Sequence, residues 1–379
     1  MKVAVLQENF IQALNHAGKA VASRSTLPIL NNVLIETNGD RLKVAANNLE
    51  TGIEAFIPCQ VQEAGAITLP AKLLSNFIGM LPPERVELEI DPATISATLR
   101  CGRHHCTIKG IDSSEFPYPA IAPNGIELQL PSAELKRAIK LTGFAAAKDE
   151  ARPTFQGILF AIDGDKLNLV AADGFRLSKT SLGTDIDQAG QLLIPAAALA
   201  KLRDIVGESE QFIKILTSER SVSFTGEDFR LVTQLIEGQF PDYTRIVPKN
   251  FSTTTTLETK LFAGAVKLAN LFARDSANIA ILKIEPGQNG DSFGRLTIFG
   301  DSAELGNSQS TLEVSVEGEP VQIAFNALYL QEALSALDSP VVTLKTSAPN
   351  NPGLLTVPGG EDFIHVIMPM HIQDRLPGA

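Results

Sequence analysis

The fold of this chain is decided by the stretch KLNLVAAD at residues 166–173, an apolar strand-like run that ends in an acidic side chain. A similar stretch, RLKVAAN, occupies residues 41–47, and a third, RLTIFGD, occupies residues 295–301. Self-similar segments of this kind indicate an internal repeat, so further markers are expected at matching intervals downstream of each copy.

The residues ahead of these stretches predict β-hairpins. Asn38-Gly39 and Asp163-Gly164 precede the first two copies, and such pairs favour tight two-residue turns. A longer glycine-rich loop at residues 286–294 precedes the third copy. Each copy is therefore predicted to be the second strand of a hairpin.

Two further markers follow each stretch in the same order. The first is a strand that runs into a helix start, at Pro70, Pro195 and Asn326. The second is an X-Pro step, at Pro117, Pro241 and Pro369. Within the three copies, the first marker lies 23, 22 and 25 residues after the end of the strand-like stretch. The second marker lies 47, 46 and 43 residues after the first. Matching order and spacing establish a threefold repeat.

Each repeat of about 125 residues is predicted to contain a helix, a hairpin, further strands, a second helix and final strands. The opening helices are predicted over residues 7–22, 132–147 and about 258–273. The fold class is therefore α+β with antiparallel sheets. We predict three domains, at residues 1–125, 126–250 and 251–379.

The composition is that of an ordinary folded protein. Of 379 residues, 44% are hydrophobic and 20% are charged, which is enough apolar material for three cores. No apolar run reaches the roughly 18 residues that cross a bilayer. The N-terminus, MKVAVLQENF, lacks the features of a signal peptide, and three cysteines are too sparse for a disulfide framework. We expect a cytoplasmic protein with no membrane partner.

The charge of the chain is unevenly distributed, although its net value is −11. The predicted helical segments carry twelve Lys and Arg residues against five Asp and Glu residues; they are residues 7–24, 70–80, 131–148, 195–205, 258–274 and 326–337. Lysine and arginine also serve simply to solvate exposed helix faces. Glutamate, however, is as good a helix former and is scarce here. The pattern favours helices that face a polyanion, such as the phosphates of nucleic acid.

The sequence predicts no catalytic centre, metal site or cofactor. Residues 13–20 approach a phosphate-binding loop but lack its first glycine and its final Ser or Thr. The segment Cys101–Cys106, CGRHHC, lacks the two separated ligand pairs of a structural zinc site and is better interpreted as strand with a half-buried cysteine. Asp173 and Arg176 fit either an acid with an oxyanion clamp or a turn held by a local aspartate hydrogen bond. A hydrolase that uses these two residues with His104 remains an alternative.

Several stretches of the chain resemble the β sliding clamp family of bacterial DNA polymerase III, and the similarity covers essentially the whole chain. They are TLPILNN at 26–32, ADGFRL at 172–177, FPDY at 240–243, RIVPK at 245–249 and VIMPM at 366–370. The resemblance implies a non-catalytic processivity factor. It also implies a head-to-tail homodimer whose six domains form a ring around duplex DNA, with sheets outside and two helices per domain inside.

The resemblance also implies positions for DNA contact. The duplex-contacting positions of the family match Arg24, Lys72 and Lys148 here. Relatives often carry basic residues where this chain has Ala196 and Ala197, and Lys201 or Arg203 could substitute for them. The helical charge adds further candidates, namely Lys136, Arg137, Lys140 and Lys267.

A further implied site is a cleft that binds short linear motifs of the clamp loader, the replicative polymerase and other factors. The matching residues are Arg152, Thr154, Ala172, Gly174, Phe175, Arg176, Leu177, Pro241, Arg245, Ile246, Val366, Met368, Pro369 and Met370. Met, Pro and Leu form an adaptable apolar trough, and arginines can reach peptide carbonyls or carboxylates. Leu177, Ile246 and Val366 fit plain core as well. Phe175 and His371 depart from the His and Arg that relatives commonly have.

The dimer contact and the C-terminal tail complete the expectations. The resemblance places Cys106 and Ile108 on one side of the dimer contact and Leu271 and Phe272 on the other. The tail, residues 371–379, contains QDRL, which faintly resembles a clamp-binding peptide and could compete for the cleft. A repeat scaffold that binds only proteins is the remaining alternative, because repetition does not by itself imply DNA.

Overall fold

A computed structural model describes residues 1–22, 25–118, 125–149, 151–184, 189–208, 210–287, 293–359 and 363–371 of the chain. Within these ranges six α-helices form: α1 (Gln7–Gly18), α2 (Ala71–Gly79), α3 (Ser132–Gly143), α4 (Ala196–Ile205), α5 (Thr259–Ala273) and α6 (Ala327–Ala336). Among the helices in these ranges, not one has the length and apolar character to span a bilayer.

Strands make up most of the rest, and every named strand pair in the described ranges is antiparallel. The first strands are β1 (Lys2–Leu6), β2 (Asn32–Asn38), β3 (Arg41–Asn47), β4 (Thr51–Pro58), β5 (Gln60–Glu63), β6 (Ala66–Pro70), β7 (Arg85–Asp91), β8 (Ser96–Cys101), β9 (His104–Lys109), β10 (Glu127–Pro131), β11 (Gly157–Asp163) and β12 (Lys166–Ala172). They are followed by β13 (Arg176–Gly183), β14 (Gly190–Pro195), β15 (Phe212–Thr217), β16 (Ser221–Thr225), β17 (Phe229–Gln234), β18 (Thr253–Glu258), β19 (Ile279–Glu285), β20 (Phe293–Ser302), β21 (Gly306–Gly318), β22 (Val321–Asn326), β23 (Val341–Thr346), β24 (Gly353–Thr356) and β25 (Ile364–Ile367).

The hairpins predicted from the repeat are confirmed. The three stretches become β3, β12 and β20, and each pairs with the strand before it. In the first two hairpins the pairs Asn38–Arg41 and Asp163–Lys166 close a two-residue loop. Gly39 and Gly164 occupy the first loop position with φ of 63° and 60°, the left-handed region that glycine reaches without strain.

The helix starts are confirmed to within a residue, but two helix ends differ from the prediction. Helix α1 ends at Gly18 rather than at residue 22, and α3 ends at Gly143 rather than at 147. Beyond both ends the chain continues in tight i−3 turns, such as Ala20 N–H to the Ala17 carbonyl oxygen and Ala145 N–H to the Thr142 carbonyl oxygen. These turns keep small apolar residues buried, so the apolar periodicity outlasts the helix.

The chain forms two compact units, each described by itself. The first comprises Met1–Ala133 and Ala197–Leu235. It contains a five-stranded sheet in the order β5-β1-β7-β8-β9 and an eight-stranded sheet in the order β10-β15-β16-β17-β4-β3-β2-β6. Helix α1 buries Phe10, Leu14 and Ala17 at helical spacing, and α2 buries Leu74 and Ile78.

The second unit comprises Glu134–Ala196 and Ile236–Ala379. Its single described sheet has twelve strands in the order β14-β11-β12-β13-β25-β24-β23-β18-β21-β20-β19-β22. The β13–β25 pairing joins the strands before residue 184 to those after residue 252. Helices α5 and α6 share an apolar core with this sheet that includes Phe262, Val266, Phe325, Leu330 and Leu334.

The packing of α5 on β20 generates a stability prediction. A methyl group on Gly300 of β20 would overlap the backbone carbonyl of Ala269 in α5, whereas one on Gly264, in the same helix, meets no atom within 4 Å. We expect Gly300→Ala to destabilise the protein by about 1–3 kcal/mol, because the added methyl group meets backbone atoms, which cannot rotate away from the overlap as a flexible side chain can. Gly264→Ala should stabilise it by about 0.5–1 kcal/mol through helix propensity.

The measurement is thermal unfolding of both variants followed by circular dichroism. Equal shifts for the two alanines, or a Gly300→Ala protein as stable as the parent, would contradict the close approach of α5 to the sheet.

Candidate functional site

A tight turn between β12 and β13 forms the centre of the candidate cleft. The carboxylate Oδ1 of Asp173 accepts hydrogen bonds from the N–H groups of Phe175 (2.9 Å) and Arg176 (3.0 Å). Its Oδ2 accepts from Arg176 Nε at 3.0 Å. Both oxygens are thus engaged within the turn, which is the local aspartate hydrogen bonding that the sequence allows. This geometry does not fit the alternative in which Asp173 acts as a catalytic acid.

The guanidinium of Arg176 fastens this turn to two other elements. Its Nη2 donates to the carbonyl oxygen of Phe144, just beyond α3, at 2.7 Å. Its Nη1 donates to Glu332 Oε2 of α6 at 2.5 Å. The guanidinium carbon also lies 4.2 Å from the centre of the Tyr329 ring, within cation–π range. With its side chain 4% exposed, Arg176 is a buried charge, and each of its three guanidinium nitrogens donates a hydrogen bond to a different residue.

Arg152 holds the same turn from a second side. It donates hydrogen bonds to the carbonyl oxygen of Asp173 and, at 2.8 Å, to Asp149 Oδ2. The hydrogen bond from Arg152 lowers the pKa of the Asp149 carboxyl below its usual value and raises the pKa of Arg152. The Arg152 guanidinium also lies 5.7 Å from the centre of the Phe155 ring. Two arginines therefore connect the segment after α3 to the turn at residues 173–176.

The floor of the cleft is apolar core. Ala172, Leu177 and Val366 are buried in one cluster that also contains Phe240. Phe240 meets Phe155 edge to face, with ring centres 6.0 Å apart. For Leu177 and Val366 the plain-core interpretation therefore describes the position correctly, and any contribution to binding is to support the floor.

Three of the predicted cleft residues are exposed apolar side chains. Phe175 is 55% exposed, Ile246 is 42% exposed and Met368 is 40% exposed, so Ile246 is a surface residue rather than core. The Met368 N–H donates to the Phe175 carbonyl oxygen at 2.9 Å, which places these two residues side by side. Exposed apolar side chains of this kind suit a partner that brings its own apolar side chains.

The remaining predicted cleft residues lie on adjoining segments. Arg245 is exposed and paired with Asp242 at 2.9 Å, after the exposed Pro241. Thr154 packs closely against Gly238. A Cβ atom added to this glycine would lie 2.8 Å from the methyl carbon of Thr154. Pro369 is half-buried, and the N–H of Met370 donates to the Ala324 carbonyl oxygen at 2.8 Å.

Three residues at this site were missed by sequence analysis. Tyr329 and Glu332 of α6 and Phe144 after α3 all contact Arg176. They are separated from it by up to 156 positions in the chain, so local patterns carry no sign of the contact. The Asn326 cap, which accepts from the N–H groups of Leu328 and Tyr329, was the available signal that a helix turn begins here.

A buried histidine lies directly beside the turn. His365 of β25 shares a 2.7 Å hydrogen bond between its Nδ1 and Ser178 Oγ of β13. Its Nε2 has no hydrogen-bond partner within the described residues. Burial, with a smaller contribution from the nearby Arg176 charge, lowers the pKa of His365 to about 3. The imidazole is therefore neutral at physiological pH.

The predicted DNA-contacting cations differ in how they are engaged. Lys140 pairs with Asp338 at 2.6 Å, and Arg203 lies 3.4 Å from Asp204, which also pairs with Lys19. Burial lowers the pKa of Lys201. The exposed members of the set are Lys72, Arg137, Lys148, Arg203 and Lys267, whereas Lys136 is half-buried. Arg24 lies outside the described residues, as do tail residues 372–379.

The predicted dimer residues belong to different units of the chain. Cys106 is half-buried and Ile108 is buried on β9, an edge strand of the five-stranded sheet. Leu271 is exposed and Phe272 is half-buried near the end of α5. In the same unit as α5, β21 pairs along its length with β20, but its other side pairs with β18 only through residues 315–318 in the described part of the chain. Each surface therefore includes backbone available for strand pairing.

The described residues offer no cluster of three or more His, Cys, Asp or Glu side chains that could hold a metal ion. The segment that first suggested zinc is a hairpin between β8 and β9, in which Cys101 is buried and Cys106 half-buried.

Comparison with known proteins covers nearly the whole length of the chain. Three family models match in order: DNA polymerase III beta subunit, N-terminal domain at residues 1–121, central domain at 129–242 and C-terminal domain at 244–371. A protein of Synechocystis sp. named Beta sliding clamp is 30% identical, with 98% of this chain and 100% of the relative covered. A Bacillus subtilis protein of the same name is 26% identical, with 98% and 99% covered.

Solved structures agree with these matches. The DNA polymerase sliding clamp from Bacillus subtilis aligns with a TM-score of 0.91 at 26% identity, covering 98% of this chain and 100% of that one. The DNA polymerase III beta subunit from Thermotoga maritima shares the fold, with a TM-score of 0.88 at 24% identity and the same coverage.

The buried histidine generates a prediction of pH dependence. Its pKa is lower in the folded protein than the value near 6.5 of an unfolded chain, so the unfolded state binds the additional proton. The stability associated with neutral His365 is complete above about pH 6.5 and falls as the pH decreases towards 3. From pH 7.5 to pH 5 we expect a loss of about 2 kcal/mol from this group.

Urea denaturation of the parent and of His365→Asn at both pH values measures the effect. The asparagine variant should lose about 2 kcal/mol less than the parent over this range. The exposed His104→Asn serves as the matched control and should follow the parent. Equal pH dependence in the parent and in His365→Asn would show that the histidine titrates normally in the fold.

Proposed function

The chain belongs to the DNA polymerase III beta subunit family, and on that basis we propose that it is a DNA sliding clamp, a ring that encircles duplex DNA and tethers the polymerase to it. The observation that carries this function is the ordered match of all three family domains over residues 1–371. The role is non-catalytic. A closed ring around DNA keeps the polymerase from leaving the template, and this provides processivity without any chemical step. Domain boundaries at 1–125, 126–250 and 251–379 are proposed on the same basis.

Exposed cations on the helices are the proposed DNA contacts. Lys72 of α2, Lys148 after α3 and Lys267 of α5 project into solvent, and Arg137 of α3 is exposed as well. Lys136, Lys140, Lys201, Arg203 and Arg24 complete the proposed set. Attraction to phosphates through such side chains is independent of base sequence and is weakened by salt. Contacts of this kind hold DNA loosely enough for the ring to move along it.

The cleft of the second unit is the proposed docking site for short peptide motifs of the clamp loader, the polymerase and other factors. Phe175, Ile246 and Met368 supply exposed apolar surface over the floor of Ala172, Leu177 and Val366. A peptide with leucine and phenylalanine side chains would bury its apolar groups here, and methionine adapts to several shapes. An acidic residue of the peptide would meet Arg245, whose side chain is 86% exposed, in exchange for or beside its present partner Asp242.

Ring closure is proposed to join β9 of one protomer to β21 of the next. Different surfaces meet in such a contact, which makes the dimer head-to-tail and closes it when the rotation is half a turn. Ile108 is already buried within its own protomer, so β9 contributes mainly backbone and the half-buried Cys106. Leu271, which is exposed, and Phe272 would supply the apolar seal.

Retention on DNA tests the clamp function. The protein should elute as a dimer and, after loading, stay on closed circular duplex but leave linear duplex through its ends. A scaffold that binds only proteins, the second candidate, would be retained on neither form. Loss of the protein from a linearised circle is therefore the decisive comparison.

Charge reversal tests the Lys and Arg residues that are the proposed DNA contacts. We expect Lys72→Glu combined with Lys267→Glu to shorten retention on circles by roughly tenfold at low salt, because two phosphate contacts become repulsive. Lys166→Glu, together with Lys214→Glu, makes the same charge change on strands and should leave retention near that of the parent. Equal losses for the two double variants would refute the assignment to the helices.

Peptide affinity tests the cleft. Met368→Ala should weaken a fluorescein-labelled peptide that presents leucine and phenylalanine by roughly tenfold, about 1.4 kcal/mol, through lost apolar contact. Met80→Ala removes an equally apolar and more exposed side chain elsewhere and is the matched control. Fluorescence anisotropy measures both. Unchanged affinity in Met368→Ala would exclude this residue from the binding surface.

A further inference from the structure

The carboxylate of Glu332 is shared between two cations of different kinds. Its Oε2 accepts from Arg176 Nη1 at 2.5 Å, and its Oε1 lies 3.6 Å from Lys148 Nζ. Arg176 is 4% exposed and belongs to the cleft turn, whereas Lys148 is 84% exposed and is a proposed phosphate contact. Glu332 of α6 thus contacts one residue of the proposed peptide site and one residue of the proposed DNA site.

The backbone connects the same two places. Lys148, which is exposed, lies between Phe144 and Arg152 in the sequence. The Phe144 carbonyl accepts from Arg176, and Arg152 donates to the carbonyl of Asp173. Both ends of the segment are therefore attached to the turn at residues 173–176.

The cleft side of this connection reaches the apolar binding surface in one step. The turn contains Phe175, whose carbonyl oxygen accepts from the N–H of Met368. A change in how firmly Arg176 holds the turn thus acts on the two exposed apolar residues over the cleft floor. Leu141 near the end of α3, Ala336 at the end of α6 and Phe363 form one buried cluster, which packs these two helices together.

We propose that Glu332 is a positioning residue through which a phosphate bound at Lys148 strengthens peptide binding in the cleft. A phosphate that binds Lys148 draws its ammonium group away from Glu332. The Glu332 carboxylate then interacts with Arg176 alone, and this stronger ion pair holds the turn at residues 173–176 more firmly. The inference rests on the proposed function, because it needs both DNA and peptide as ligands. Thermodynamic linkage makes the effect reciprocal, so a bound peptide strengthens the contact with DNA to the same degree.

The expected size is small, because Lys148 is exposed and an exposed ion pair contributes little. We expect saturating duplex DNA to tighten peptide binding roughly two- to fourfold. An effect of this size would favour clamps on DNA over clamps in solution as docking sites, while still allowing exchange of partners.

The test is peptide affinity, measured by fluorescence anisotropy on the full-length dimer with and without a short duplex at low salt. The labelled peptide is the one that presents leucine and phenylalanine. In the parent, duplex should lower the dissociation constant two- to fourfold. Lys148→Ala should show the tighter affinity without DNA and no further change with it. Glu332→Gln should abolish the dependence on DNA, and the circular dichroism of both variants checks their fold.

Lys267→Ala is the matched control, since it removes another proposed phosphate contact that has no connection to Glu332. It should weaken DNA binding yet keep the two- to fourfold effect at saturating duplex. The inference is overturned if the parent binds both ligands with no change in peptide affinity, or if Lys148→Ala and Lys267→Ala alter the effect equally. A parent that binds no peptide or no duplex overturns the proposed function itself, and this outcome is distinct from the others.

Discussion

The buried guanidinium of Arg176 is the interaction on which the arrangement of the second unit depends. An arginine that is 4% exposed is costly to bury unless every part of it is paired. Its partners are the carboxylates of Asp173 and Glu332, the Phe144 carbonyl and the Tyr329 ring. These groups come from a strand turn, the segment after one helix and the face of another. Satisfying a single charge therefore sets the positions of three elements that are distant in sequence.

The cleft inherits its character from this arrangement. Both carboxylate oxygens of Asp173 and all three nitrogens of the Arg176 guanidinium are engaged in hydrogen bonds, so the exposed side chains of this region include the apolar Phe175 and Met368. A site of this kind has little to offer a reaction, since its ionisable groups are held in fixed pairs. It has much to offer an extended peptide, which needs apolar contact and a few donors at the edge. The same chemistry that excludes an active centre thus supports docking.

The sequence was sufficient for the features that depend on neighbours in the chain. The hairpins at Gly39 and Gly164 follow from local turn chemistry, and the six helices begin where a strand runs into an apolar-periodic segment. The ends of α1 and α3 did not follow, because tight turns bury alanines as well as a helix does. The family resemblance supplied the cleft positions, but it could not supply Glu332 or Tyr329. Their roles arise from contacts across more than 150 residues, for which a single sequence holds no local pattern.

The charges of the candidate DNA contacts show a similar division. Counting Lys and Arg on predicted helices selected the candidate elements, yet the count could not separate an exposed Lys267 from a Lys140 engaged with Asp338. Pairing depends on which acidic residue the fold brings near, and Asp338 lies 198 positions from its partner. Helix assignment is a local property of sequence, whereas availability of a charge is a property of the folded unit.

The open backbone edges of β9 and β21 have a consequence for a protomer that has separated from its partner. An unpaired strand edge is a template on which any other extended chain can add, and this is a common origin of irreversible clumping. Both edges carry polar groups at their margins, with His104, His105 and Lys109 on β9 and Asn307 and Glu313 on β21. Polar and charged residues on an edge strand disfavour pairing with an apolar strand of another chain. We expect a protomer that has separated from its partner to rely on these side chains to remain dispersed until it assembles again.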